Sequence, residues 1–274
     1  MFGRHVQCPV DAADREWIEE SFVWLAERFG VSTLSDAVVL PTSEYFPGPL
    51  TGEPEQMTAL VNGVAAEMGM GEGAPVTVVP LARSGGVAVR AGLTGCAGYP
   101  GAAFRGGEGG HILALDQALV SRPVALVATI SHLLGHLRFA GQPGIPADRT
   151  TREHLIELHA VYAGFGIFGA NAAVEVEVDP RANMRAAASR GLSQGRARIH
   201  HYGQLTEEVH GYASACFALM RGESRPKWSK YLDTNPRAYM RRSQKYLAQH
   251  PAERLLAIQS GTVPGADTRT PDVA

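Results

Sequence analysis

Cysteine is scarce, with three residues in 274, at Cys8, Cys96 and Cys216. An odd, widely spaced set suggests neither a disulfide framework nor a zinc ribbon, and a reducing, cytoplasmic setting is the simplest expectation. Long apolar runs are missing too: none reaches the roughly 18 residues needed to span a bilayer. The opening residues, Met1-Phe-Gly-Arg-His-Val-Gln-Cys-Pro9, lack the apolar stretch of a signal peptide, so no membrane partner is expected. The glycine-rich stretch 91–110 ends Arg105-Gly-Gly-Glu-Gly-Gly110, without the Gly-Lys-Ser/Thr that would close a phosphate-binding loop. It reads as a linker or as a loop at the edge of a substrate site. Internal repeats are absent as well.

Net charge is small, at −2, but unevenly spread. Residues 1–180 carry 10 Lys and Arg against 20 Asp and Glu, whereas residues 181–254 carry 14 against 5. Such asymmetry can mark a nucleic-acid surface. Because the basic half holds no recognised nucleic-acid motif, docking of the acidic half against the basic half within one molecule is the favoured account. Trp228 among Arg225, Lys227 and Lys230 has the aromatic-basic mixture of a nucleic-acid surface, although one aromatic packed under a charged surface is the commoner arrangement.

The apolar periodicity predicts an α+β fold, mostly helical, with a small mixed or antiparallel sheet. Helices are expected over 11–29, 54–68, 121–139, 151–163, 206–221 and 236–248. Strand-like runs fall at 37–40, 76–81, 87–90 and 111–115, the second and third joined by a turn at Arg83-Ser-Gly-Gly86 and the last serving as the sheet edge. Thr150 and Glu153 have capping-box spacing. A single domain over 1–261 is expected, its N-terminal α/β part reaching to about 120 and a helical part following, with 262–274 as a disordered tail.

The most informative segment is Ser131-His132-Leu133-Leu134-Gly135-His136. Histidines at i and i+4 of a helix stand one turn apart on one face, so both imidazoles can reach a single metal ion, as in His-Glu-x-x-His. Zinc is the expected ion, and it needs at least one further protein ligand. Glu157, 21 residues beyond His136, is the preferred third ligand, on a helix returning after a short loop. Glu153 is the competitor, one turn earlier and claimed by the capping box; His154 and His159 lie at other angles around that helix.

The residue after the first histidine is Leu133, where a hydrolase of this kind carries its glutamate base. Leucine moves no proton, and general-base catalysis typically contributes about 10²–10⁴ in rate, so ordinary peptide hydrolysis should be badly impaired. Glu153 is a weak substitute. Other candidates are His200-His201-Tyr202 as a metal or anion site, Cys96 as a nucleophile, and Tyr202 or Tyr212 as donors to a metal-bound oxyanion.

Several stretches resemble an uncharacterised bacterial family of zincin-like putative metallopeptidases. They are Cys8-Pro-Val-Asp11 with Trp17-Ile-Glu19, Val39-Leu-Pro-Thr42 with Tyr45-Phe-Pro47, 127–136, Glu157 through Asn171, Gly203 through Tyr212, and Leu219-Met-Arg-Gly-Glu223. The resemblance covers most of residues 8–248. It implies a zincin-like fold with His132 and His136 as metal ligands and Glu157 at the family's acidic position, while Leu133 departs from the family's glutamate. Three functions follow as expectations. The first is a zincin-like metal-binding pseudoenzyme with a peptide or small-molecule ligand. The second is a repurposed metalloenzyme using zinc as a Lewis acid, and the third a metal-free adaptor with a basic surface.

Overall fold

The first helix shows how local chemistry sets the elements. Asp11 accepts a hydrogen bond from the Asp14 N–H at 2.8 Å, and Gly30, at φ +82°, closes the helix with its N–H on the Ala26 carbonyl. Between them α1 (Ala12–Phe29) buries Trp17, Ile18, Phe22 and Leu25, as their spacing predicts. The computed structural model describes residues 6–46, 48–71, 76–81, 93–95, 98–99, 101–106, 110–178 and 197–261. The turn at Arg83–Gly86, the run 87–90, Cys96 and the tail 262–274 lie outside them.

The fold is α+β and mostly helical, with a small mixed sheet. Helix α2 (Pro54–Glu67) packs on β1 (Val76–Leu81). The strands β2 (Thr94–Gly95), β3 (Ala102–Arg105) and β4 (His111–Asp116) complete a sheet of order β1-β4-β3-β2. Strand β4 runs parallel to β1 and antiparallel to β3, so it lies inside the sheet and not at its edge. Leu113, Ala114 and Leu115 are buried in succession because β4 has neighbours on both sides and is covered on both faces, which erases the alternation an exposed edge would show. The run 37–40 forms no strand; Val39 instead donates its N–H to the Gly164 carbonyl at 3.2 Å.

Pro123 opens α3 (Pro123–Phe139), buried over nearly its whole length, where proline's missing N–H costs nothing. Next comes α4 (Arg149–Ala160), then a widened turn, 161–165, in which Gly164 takes φ +88°, and then α5 (Gly166–Ala172). An antiparallel pair of strands, β5 (Glu175–Val178) and β6 (Ala197–His200), follows. The last of the described elements are α6 (Glu207–Met220), α7 (Thr234–Leu247) and α8 (Glu253–Gln259).

Two apolar clusters fill the interior. One gathers α1, α4 and the C-terminal helices around Phe22, Tyr162 and Tyr212; the other gathers the sheet, α2 and α3 around Leu113, Leu126 and Leu133. Helix α1, although it opens the chain, packs with α8, α4 and α6. None of the described helices is long and apolar enough to cross a membrane.

Candidate metal centre

The register between α3 and α4 is fixed at Gly135. A Cβ there would lie 2.6 Å from the Ile156 methyl Cγ2, so only glycine permits this approach. Packed this closely, α4 presents Glu153 level with the gap between His132 and His136. Asp148 caps α4, accepting from the Thr151 N–H at 2.7 Å and its hydroxyl at 2.9 Å. Glu153 is therefore not consumed by a capping box with Thr150, and its carboxylate is available to the histidines.

One oxygen, Glu153 Oε2, lies 2.9 Å from His132 Nε2 and 2.9 Å from His136 Nε2, and the two ring nitrogens are 3.2 Å apart. All three side chains are buried. Two imidazole nitrogens and a carboxylate oxygen this close together can all direct a lone pair at one cation between them. The group could thus hold a divalent metal ion. Burial favours loss of the His136 proton, against the pull of Glu153, and its pKa lies below the ordinary histidine value. Burial alone would raise Glu153, but the hydrogen bonds and charges of the two histidines outweigh it and hold the carboxyl at about 2. A deprotonated His136 and an ionised Glu153 are in the states that metal ligation requires.

Aromatic rings wall the centre. Tyr99 lies against His132 with ring centroids 4.3 Å apart, and Phe104 stacks on His136 at 4.4 Å. Both come from the glycine-rich stretch, which thus packs on the centre through β3 and the turn before it. Composition gave no hint of them, since neither obeys a helical or strand period. At the outer side Arg149 places Nε 3.7 Å from Glu153 Oε1 and donates to the Gly95 carbonyl at 3.1 Å.

Glu157, the preferred third ligand in the sequence, does not join the pair. One turn beyond Glu153, it accepts from the Gln204 N–H at 2.8 Å and lies 3.1 Å from His210 Nε2. Burial opposes its ionisation, yet His210 and the Gln204 amide hold its pKa below the ordinary value. Leu133 is fully buried in the sheet-side cluster. His154 sits edge-on to Trp17, and His159 lies among Phe29 and Phe139. His200 approaches Arg122 at 3.0 Å, and Arg122 also donates to the Tyr202 hydroxyl at 2.9 Å. Tyr212 donates to Glu19, and the Trp228 indole donates to Glu223 beneath Phe217, so both belong to the helical core.

No family model, curated protein or solved structure matches the chain.

Proposed function

We propose that this chain is a zincin-like metal-binding protein, with zinc held by His132, His136 and Glu153, that lacks ordinary peptidase activity. The observation that carries this reading is the convergence of two imidazole nitrogens and one carboxylate oxygen within 3.2 Å inside the core. Two nitrogens and one oxygen suit zinc, and three protein ligands leave a position open, as in sites that take an exogenous ligand and unlike closed four-ligand structural sites. A zinc ion there supplies Lewis acidity to whatever ligand fills that position. The chain's own residues supply orientation and dry walls: Tyr99 and Phe104 cover the imidazoles, and Arg149 lies 3.7 Å from the outer oxygen of Glu153.

What a hydrolase would add is a base, and Leu133 provides none. As the third ligand of the proposed centre, Glu153 is committed to the metal and is not free to serve as that base. The centre thus supports capture of a peptide or small-molecule ligand, as in a pseudoenzyme, better than proton-coupled hydrolysis. Elemental analysis of the tag-free protein tests the reading. About one zinc per chain is expected, falling to background in a His132→Ala, His136→Ala variant and in Glu153→Ala. Glu157→Gln should keep its metal. Folded parent protein that stays metal-free after zinc is added back would refute the proposal.

A further inference from the structure

A ligating imidazole is normally oriented by a hydrogen bond from its second ring nitrogen. In His132 that nitrogen, Nδ1, is buried and makes no hydrogen bond. The ring is held by packing instead, and the surface it packs on is Tyr99, tilted by 30°. What fixes Tyr99 therefore bears on the geometry of the centre.

Tyr99 follows Gly98, whose carbonyl accepts from the Gly203 N–H at 2.7 Å. The two turns touch so closely that a Cβ on Gly98 would lie 2.6 Å from the Gly203 oxygen. Gly203 in turn rests on Glu157, where a Cβ would come within 2.1 Å of Oε1. Both glycines have positive φ, +76° and +87°, a second reason why no other residue serves. Glu157 anchors the far end, gripping the Gln204 N–H and His210 Nε2. His210 has room because Gly169 of α5 faces it, where a Cβ would lie 2.9 Å from its Cε1.

We propose that Glu157 and His210 are positioning residues for the metal centre, seating Tyr99 against His132 through the paired Gly203 and Gly98 turns. A buried carboxylate-imidazole pair contributes little net stability compared with apolar residues of similar volume. Its use here is to place one backbone turn with the accuracy that hydrogen bonds to a rigid helix provide. The inference rests on the metal-centre reading of the triad and assigns to Glu157 a task one step removed from ligation.

The test uses Co²⁺ alone as probe, titrated by visible absorbance into the full-length apoprotein, together with amide hydrogen exchange over residues 98–106. A Glu157→Leu, His210→Leu variant removes both polar partners at once and should stay folded. Its Co²⁺ affinity should fall by about 10- to 100-fold, the usual penalty for losing an orienting partner, with faster exchange at 98–106. Glu157→Gln, which keeps an acceptor for the Gln204 amide, should bind close to the parent. Gly98→Ala reaches the same turn from the other side and should reproduce both effects, which decides the matter if the double variant does not fold. Parent-like affinity and exchange in the folded variants would overturn the proposal. A parent that takes up no cobalt would defeat the metal reading, while exchange at 98–106 would still decide the coupling.

Discussion

His159 measures what a buried imidazole costs here when it has no partner. Its Nδ1 is buried without a hydrogen bond, and the ring packs against Phe29 at 4.7 Å. Burial, aided by Arg138, lowers its pKa from 6.5 to about 3. The native state keeps it neutral while the unfolded chain takes up a proton below 6.5, so stability must fall as the pH drops from there towards 3. One proton corresponds to about 1.4 kcal/mol per pH unit inside that window. Urea unfolding of the parent at pH 7 and pH 4.5 should show this loss, and His159→Leu should flatten the slope; equal slopes would mean that His159 is not the group responsible. The same contrast explains what was legible at this scale. Spacing singled out His132 and His136 from the chain's other histidines, because i and i+4 place two rings on one face. It preferred Glu157 to Glu153, which shares its helix face one turn away, whereas Glu153 is the one that meets the histidines. That choice is made by Asp148, which caps the helix and releases Glu153, and by the depth at which α4 meets α3. Tyr99 and Phe104 were invisible because a glycine-rich stretch carries no period to read.

At the level of elements, helices with a cap and an apolar stripe were legible almost to the residue, as α1 between Asp11 and Gly30 shows. The strands were harder. Strand β3 lies in a glycine-rich run, and β4 is buried on both faces, so neither alternates as an exposed strand does. Its place inside the sheet depends on β1 and β3 pairing with it, which is not a local property. The packing of α3 on α4 at Gly135 is the element-level feature on which the centre depends. Alanine there gains about 1 kcal/mol of helix propensity, but the Ile156 methyl is branched at Cβ and cannot swing away, and overpacking costs about 1–3 kcal/mol. Gly135→Ala is therefore expected to be neutral to destabilising, by up to about 2 kcal/mol, and to weaken metal binding by moving Glu153 away from the histidines. Gly63 of α2 has nothing within 4 Å of its would-be Cβ, and Gly63→Ala should stabilise by up to about 1 kcal/mol with metal binding unchanged. Thermal melts and zinc titrations of the pair check this; two variants that behaved alike would remove Gly135 from the account.

Across the whole molecule, the centre lies where the two apolar clusters meet. His132 and His136 stand on α3, whose Leu133, Leu134 and Leu137 belong to the sheet-side cluster, while Glu153 stands on α4, whose Leu155, Ile156 and Leu158 belong to the helical one. The same helical body joins acidic to basic sequence: Tyr212 donates to Glu19 at 2.5 Å, and Arg254 lies 3.5 Å from Glu20. Those surface and half-buried contacts are individually weak; a cation bridging α3 and α4 would add a tie between the two cores. An ion bound only by the folded state stabilises it by mass action, by about 2.7 kcal/mol at a free concentration 100 times Kd. For a chain of this length that corresponds to a rise in Tm of roughly 5–10 °C. Chelation of the parent should remove the increment, and the His132→Ala, His136→Ala variant should melt at one temperature with or without zinc. Calorimetry distinguishes the alternatives: a parent whose Tm ignores chelator after verified zinc loading carries its ion elsewhere, and the junction of the two cores is then held by packing alone.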